Sequence, residues 1–314
     1  MIGPPGSGKS MIAKRVPTNP KRCPDSSIGR DWFLCACLLN FDFMKSFLCC
    51  QCGTQFGETA APPDRCLICE DERQFVRWNG QAWTDALELA RDHRLEWRDD
   101  RGVTGIGIEP AFAIGQRALL IEEEDGCVLW DCTSLVTPGI VGRIAERGGL
   151  KAIAISHPHF YGAMVDWSEA FGNVSIYIHA ADRDWVVRSH PSIVHWEGET
   201  HRLSDTLTLI RCGGHFAGGA LLHWTKGANG KGALFVGDIA AVTMDRQHVS
   251  FMYSYPNNIP LGPAAVRRIA SAIEPLKFDR IYGAFWDRNI ASGAREAFRN
   301  SVNRHLTAIA LDTE

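Results

Sequence analysis

Three histidines and one aspartate follow short apolar runs that have the length and composition of β-strands. His157 and His159 come after one run, His215 lies in a glycine-rich turn after a second, and Asp238 follows a third. Imidazole and carboxylate groups are common zinc ligands, and the end of a strand holds a side chain rigidly. We therefore expect the four side chains to converge on one metal ion. The competing interpretation is that the two histidines of the His-x-His pair are ordinary turn residues.

Two Cys-x-x-Cys pairs predict a second, separate metal site. Cys49 and Cys52 form the first pair, and Cys66 and Cys69 form the second. Four thiolates fill the tetrahedral sphere of zinc and leave no open position, so we expect a structural zinc ribbon and not a catalytic site. Unligated cysteines are the alternative. Ribbons also bind nucleic acid, but nearby carboxylates disfavour that role here: Asp64, Glu70, Asp71 and Glu72.

The composition is that of a globular protein without a bias towards a charged partner. The chain has 314 residues, 45% of them apolar, and its 33 basic and 36 acidic side chains give a formal charge of -3. This balance favours neither nucleic acid nor an anionic membrane as a partner. Because no apolar stretch is long enough to span a bilayer and the N-terminal residues lack an export pattern, we expect a cytoplasmic protein. A homodimer is left open.

The pattern along the chain predicts a mixed fold of class α/β (α+β). A helix is expected over residues 83–97, where apolar residues recur near helical spacing. Short apolar runs then alternate with turns and helix candidates. The expected strands are 118–121, 128–130, 152–155, 174–178, 207–210, 220–224 and 233–236, and the expected helices are 138–147, 167–171, 182–187 and 263–273. The expected segments are a loosely ordered leader (1–46), a zinc ribbon (47–83), a helical linker (84–104) and a large domain (105–314).

The order of the histidine and aspartate motifs resembles the metallo-β-lactamase superfamily. In that order, a strand ends in His157-Pro-His159, a Gly-His-x-x-Gly-like element contains His215, and a later strand ends in Gly-Asp238. The resemblance covers roughly residue 105 to the C-terminus. The chain is also similar to a subgroup of metallo-hydrolases in which a Cys-x-x-Cys ribbon precedes this domain. The resemblance implies a four-layer αββα sandwich with the metal at one edge of its two sheets.

The sequence departs from the family motif at the positions that bind a second metal ion. The motif His-x-His-x-Asp-His ends in an aspartate and a histidine, and these positions are Tyr161 and Gly162 here. The family's last histidine ligand should fall within residues 281–286, which contain none. The remaining ligand set implies a single metal ion. On this alignment, restoring an aspartate and a histidine at positions 161 and 162 is expected to rebuild part of the second site.

The resemblance implies a metal-dependent hydrolase of an ester, thioester, amide or phosphodiester, with a small-molecule substrate. Three imidazoles and an open position suit a catalytic zinc that lowers the pKa of bound water. Asp238 is the carboxylate able to orient or deprotonate that water, and the phenol of Tyr161 could donate to a substrate oxyanion. The aromatic stretch 251–260 suits a loop that faces the substrate. The alternative is a non-catalytic, metal-binding member of the fold that acts as an interaction protein.

A complete nucleotide-binding loop pattern occurs near the N-terminus. Residues 3–10 match Gly-x-x-x-x-Gly-Lys-Ser, with Lys9 and Ser10 at the phosphate and magnesium positions. Residues 3–18 resemble the loop of AAA+ ATPases of the magnesium-chelatase type. A working loop of this kind follows a strand and belongs to a parallel sheet, and the residues around it predict neither. We therefore expect no ATP binding and interpret the segment as a fused fragment.

Overall fold

Two β-sheets packed face to face occupy the centre of this computed structural model, which describes residues 44–310. These residues belong to one compact unit. The nucleotide-loop pattern and most of the expected leader lie outside the described residues. Among the helices that are described, none is both long enough and apolar enough to cross a membrane.

The cysteine-bearing module comes first and contains a small antiparallel sheet in the order β2-β1-β3. Cys49 is the last residue of β1 and Cys52 lies in the turn after it, whereas Cys66 immediately precedes α1 and Cys69 lies within α1. The module and the helix after it consist of β1 (Lys45–Cys49), β2 (Gln55–Thr59), α1 (Leu67–Glu70), β3 (Trp83–Thr84) and α2 (Ala86–Asp92).

The first large sheet has seven strands in the order β10-β9-β8-β7-β6-β5-β4. Its strands are β4 (Arg94–Asp99), β5 (Thr104–Glu109), β6 (Ala118–Glu123), β7 (Gly126–Trp130), β8 (Leu150–Ala154), β9 (Ser175–His179) and β10 (Ile193–Trp196). Pairs from β7 to β10 are parallel and the remaining pairs are antiparallel. The crossovers are α3 (Pro138–Ala145), α4 (Met164–Glu169) and the 3-10 turns Pro158–Phe160 and Ala180–Trp185.

The second sheet has six strands in the order β11-β12-β13-β14-β19-β20. Its first four strands are β11 (Thr200–Arg202), β12 (Leu207–Arg211), β13 (Ala220–Trp224) and β14 (Ala233–Phe235). The single helical turn α5 (Gly227–Gly230) connects β13 to β14. Two hairpins follow, β15 (Ala241–Val242) with β16 (Val249–Ser250) and β17 (Met252–Ser254) with β18 (Ile259–Pro260). The chain ends in α6 (Pro263–Ile273), β19 (Arg280–Tyr282), β20 (Asn289–Ile290) and α7 (Ala294–Ala310).

Alternation of side chains along the strands produces the four layers. In β7, Leu129 packs towards α3 and α4 on the outer face, whereas Val128 and Trp130 face the second sheet. In β13, Leu221 packs with α6 and α7 on the opposite outer face, and Leu222 faces the first sheet. Because both faces of each central strand are buried, these strands read as unbroken apolar runs. The αββα sandwich expected from the sequence is confirmed.

The expected strands are present, but the expected helix over residues 83–97 is much shorter. The helix covers Ala86–Asp92, and Arg94–Asp99 forms the edge strand β4 of the large sheet. In β4 the apolar Leu95 and Trp97 alternate with charged residues, which is a period of two and not of a helix. The linker segment therefore contributes directly to the sandwich.

Removing a side chain from the layer between the first sheet and its helices should cost substantial stability. Leu129 is fully buried there, so Leu129→Ala should lower the free energy of unfolding by about 2–5 kcal/mol. The matched change Leu87→Ala, at a side chain that is 79% exposed, should cost less than about 0.5 kcal/mol. Urea denaturation of the metal-loaded protein measures both, and equal losses would contradict this packing.

Candidate metal centres

His157 and His159 are held in the turn that follows β8 at the edge of the first sheet. His157 has an extended backbone, and the 3-10 turn Pro158–Phe160 then carries His159 back towards it. Both side chains are almost completely buried. The sequence Ile-Ser-His-Pro-His folds this way because proline fits the first position of a helical turn and ends the strand.

His215 and Asp238 come from the second sheet, where β12 and β14 end at the same edge. The backbone at Gly237, before Asp238, has φ of +50°. A Cβ atom at Gly237 would lie 2.6 Å from Ser156 Oγ, so glycine is required for the two strand ends to meet. The structure brings together the four predicted ligands, His157, His159, His215 and Asp238, with one ligand atom of each within 4.8 Å of the others.

The distances between the ligand atoms fit a tetrahedral ion. His159 Nδ1 and His215 Nε2 are 3.2 Å apart, and His157 Nε2 and Asp238 Oδ2 are 3.7 Å apart. Zinc bonds to nitrogen and oxygen of about 2.0–2.1 Å place two tetrahedral ligands roughly 3.3 Å apart. The buried Nε2 atom of His157 has no hydrogen-bond partner within residues 44–310. A buried acceptor without a partner is costly, so this donor set fits a metal ion.

Hydrogen bonds behind the histidine rings orient them towards this point. Ser156 donates through its backbone N–H and its hydroxyl to Asp131 Oδ1, both at 2.8 Å. The Ser156 hydroxyl lies 2.9 Å from His157 Nδ1 and can accept its proton, which leaves Nε2 free to bind metal. His215 Nδ1 lies 3.2 Å from the carbonyl oxygen of Met252, to which it can donate. Such outer contacts set the tautomer of a ligand histidine.

Burial determines the protonation of the cluster. It lowers the pKa of His157 and of His159 well below the usual value and lowers that of His215 to about 4. Burial also raises the pKa of Asp238 to about 7. The imidazoles are therefore neutral at physiological pH, which is the form that binds metal, whereas a proton competes for Asp238.

Tyr161 and Gly162 are enclosed by contacts with the surrounding backbone. Tyr161 is fully buried on the outer face of the first sheet, and its hydroxyl donates to the carbonyl of Asp182 at 3.2 Å. Gly162 has φ of +48°, and a Cβ atom there would lie 2.7 Å from the carbonyl oxygens of Cys132 and Thr133. A histidine at position 162 would therefore collide with backbone. The expectation that two substitutions rebuild a second site is not supported by this geometry, and a catalytic role of Tyr161 stays a prediction.

The four paired cysteines form a second buried cluster. Cys49 and Cys69 sulfurs are 3.6 Å apart, and Cys52 and Cys66 sulfurs are 3.7 Å apart, too far for disulfides. Zinc–sulfur bonds of about 2.3 Å place tetrahedral ligands roughly 3.8 Å apart, so the spacing fits one closed zinc site.

One connection between the two clusters was not predicted from the sequence. Arg73, after the second cysteine pair, pairs with Asp71 at 2.5 Å and donates to the carbonyl of His215 at 3.2 Å. Its guanidinium also lies 3.9 Å from the ring centre of Phe216. The short acidic run around Arg73 is the only signal in the sequence, and it resembles a solvated surface. The ribbon therefore supports the loop that carries His215.

A second unpredicted contact holds the other side of the same loop. The buried carboxylate of Asp182 accepts a hydrogen bond from the backbone N–H of Gly218 at 2.6 Å. Burial raises the pKa of Asp182 to about 6.

A cavity of about 430 Å³ adjoins the histidine cluster. Among the four clustered residues, Asp238 is the one that lines it. The other walls come from Gln74 after the second cysteine pair, from the β15–β16 hairpin, and from Phe285 and Arg288 after β19. Tyr255 and Pro256 contribute as well, so the aromatic stretch predicted to face a substrate does border this cavity. Access to the cluster from this cavity is thus through Asp238.

Comparison with known proteins assigns the chain to a family. The uncharacterized protein YmaE of Bacillus subtilis (strain 168) is 45% identical over 269 residues, which are 85% of this chain and 97% of YmaE. The chain belongs to the same family as YmaE. No family model matches the chain, and the resemblance of residues 3–18 to a nucleotide-binding loop receives no support.

Solved structures show that this YmaE relative has the metallo-β-lactamase fold. The DIM-1 metallo-β-lactamase exposed to ceftazidime matches with a TM-score of 0.50 and 14% identity, covering 69% of this chain and 98% of that one. The crystal structure of VMB-1 at pH 5.5 matches with a TM-score of 0.51 and 13% identity, also over 69% and 98%. At these identities the likeness shows the fold alone.

Metal affinity of the histidine cluster should depend on pH through Asp238. Because the pKa of Asp238 is about 7 and that of His215 about 4, only the carboxylate competes with protons between these values. The logarithm of zinc affinity should rise by about one per pH unit from about pH 5 to about pH 7 and level off above. Asp238→Asn should remove the slope. Calorimetric titration of the metal-free protein with zinc at several pH values measures this slope. A slope that persists in Asp238→Asn would show that Asp238 is not the group at which protons compete with the metal.

Each cluster should account for one metal equivalent. His215→Ala should lose one equivalent of zinc, and Cys69→Ser should lose the other, because each removes a buried ligand. Cys50→Ser is the matched control, since Cys50 adjoins the first pair but is not part of the cluster, and it should lose none. Elemental analysis after purification without chelators gives the count. Loss of zinc in Cys50→Ser, or none in Cys69→Ser, would exclude this ligand set.

Proposed function

We propose that the chain is a metal-dependent hydrolase of a small ester, thioester, amide or phosphodiester, with one metal ion at the histidine cluster. The observation that carries the proposal is the position of Asp238, which belongs to the four-ligand cluster and also lines the 430 Å³ cavity. A ligand cluster with one side towards a cavity is the arrangement of a catalytic site, whereas a purely structural site is closed. The metallo-β-lactamase fold is consistent with this reaction class.

The chain's own residues have separable tasks in such a reaction. When bound, a divalent metal such as zinc would polarise the scissile bond and lower the pKa of water. As the carboxylate at the cavity wall, Asp238 can orient the attacking water and accept its proton. For an ester, the water oxygen bonds to the acyl carbon, the bond to the alcohol oxygen breaks, and the proton passes to the alcohol. The Asp131–Ser156–His157 chain keeps His157 in the metal-binding tautomer.

One observation favours a second candidate, a metal-binding protein without catalysis. The positions that hold a second metal in the resembled motif are a buried tyrosine and a glycine with no room for a side chain. A protein that keeps the fold and one metal would then use the cavity only for binding. Turnover separates the two candidates.

Zinc-loaded protein should hydrolyse at least one member of a panel of chromogenic esters, lactams and phosphodiesters. His157→Ala should lower kcat/KM by at least about 100-fold because a ligand is lost. Asp238→Asn should lower it by about 100-fold or more because the proton acceptor is lost. Tyr161→Phe tests the catalytic role that the sequence predicts for this phenol: because its hydroxyl is buried against the Asp182 carbonyl, we expect kcat/KM to stay within about twofold.

The outcomes distinguish the alternatives. No turnover of any substrate by a fully metal-loaded protein would favour the binding protein. A large loss of kcat in Tyr161→Phe with unchanged metal content would restore the catalytic role that the sequence predicted for Tyr161. Turnover that survives His157→Ala would place the reaction elsewhere in the molecule.

A further inference from the structure

We propose that the cavity beside Asp238 selects a small organic anion with an apolar body, whose acidic group pairs with Arg288. This inference rests on the proposed function for the site but concerns which substrates enter it. It follows from the chemistry of the cavity walls and from two polar side chains there that have no side-chain partner within residues 44–310.

The walls of the cavity are largely apolar. Val242 and Met244 on the β15–β16 hairpin, Ile114 and Phe285 supply hydrocarbon and ring surface. Met244 is 76% exposed, which is unusual for a large apolar side chain. An exposed methionine at the mouth of an apolar cavity can pack against ligands of different shapes, because its side chain is flexible. The body of the ligand should therefore be apolar.

Arg288 supplies the positive charge of the cavity. Its guanidinium has no carboxylate partner within the described part of the chain. Its Nη1 donates to the carbonyl of Val242 at 3.4 Å. Asp238 is the acidic residue among the lining side chains, and a bound metal would neutralise it. A guanidinium with free donors forms paired hydrogen bonds with a carboxylate or sulfonate and does so more strongly when water is partly excluded.

Gln74 is an independent sign that the cavity holds a polar ligand group. Its side chain is only 6% exposed and lines the cavity, yet its Oε1 atom has no hydrogen-bond partner among residues 44–310. The backbone of Gln74 is fixed, because Asn257 donates to its carbonyl at 3.1 Å. A buried amide without a partner is costly and is accounted for when a ligand supplies one. Since Gln74 lies within the ribbon segment, the ribbon would contribute to substrate recognition.

Calorimetry on the zinc-loaded full-length chain tests the charge preference without requiring turnover. The probes are octanesulfonate, octanoate and 1-octanol, which share one chain and differ in charge. Both anions should bind at least about tenfold more tightly than the alcohol. Arg288→Gln should remove this preference, and Arg288→Lys, which keeps the charge, should retain part of it. Gln74→Met should weaken both anions by severalfold.

The matched control is Arg246→Gln. Arg246 lies on the same hairpin as Met244 but does not line the cavity, so it reports the effect of one lost surface charge. Its anion affinity should stay within about twofold of the original protein. Metal content is measured for every variant, which identifies a misfolded one. If Arg288→Gln is misfolded, Arg288→Lys is used to test the role of the guanidinium instead.

A second arm separates failure of this inference from failure of the proposed hydrolase. The mono-4-nitrophenyl ester of suberic acid carries a free carboxylate, and its methyl ester does not. If the inference holds, the substrate with the free carboxylate has a lower KM than its methyl ester, and Arg288→Gln removes this difference. Equal binding of anions and alcohol, or anion binding unchanged in Arg288→Gln, would overturn the inference even if turnover occurs. Selective anion binding without turnover would leave the inference standing and overturn the hydrolase.

Discussion

The hydrogen bonds of Ser156 hold the two sheets together at the edge where the candidate metal ligands lie. Its carbonyl accepts from the backbone N–H of Ala220 in the second sheet at 2.9 Å, and its N–H and hydroxyl donate to Asp131 at the end of β7. The same hydroxyl contacts His157. One buried residue thus ties the end of the first sheet that carries His157 to the second sheet. Polar networks in a buried position define geometry in this way because each unpaired member is costly.

The ribbon adds a second constraint on the same edge. A module of this size has little core of its own; it packs against the first sheet, and a metal ion held by its four cysteines would stabilise it further. In the segment after its second cysteine pair, Arg73 donates to the carbonyl of His215, and Gln74 lines the cavity. The two clusters therefore differ in chemistry: the thiolate cluster is closed and shapes the fold, and the histidine cluster has one side open.

Burial explains why the histidine cluster is suited to a cation. The low-dielectric surroundings disfavour three charged imidazoles close together, so the pKa of each is lowered and all three present neutral nitrogens. The same burial raises the pKa of Asp238, which leaves its carboxyl able to exchange a proton near neutral pH. The same burial thus shifts the pKa of the imidazoles and of the carboxyl in opposite directions, because the charged form is a cation in one and an anion in the other.

The sequence by itself determined the central strands and the ligand types at their ends. Apolar runs such as those around Leu129 and Leu222 have a local pattern that specifies a buried strand, and His157, His159, His215 and Asp238 follow such runs directly. The edge strand β4 was missed because its alternation is short and charged.

Only the tertiary structure decided which side chains surround the cluster and its cavity. Arg73 and His215 are 142 residues apart, and nothing in the local pattern of either segment records their contact. The same holds for Gln74 and Arg288, which meet at one cavity from opposite ends of the described chain. It also holds for Tyr161, whose place in a motif suggested chemistry but whose hydroxyl is taken up by a backbone carbonyl. Periodicity specifies which face of an element is buried, whereas packing between distant elements specifies what each buried polar group finds there.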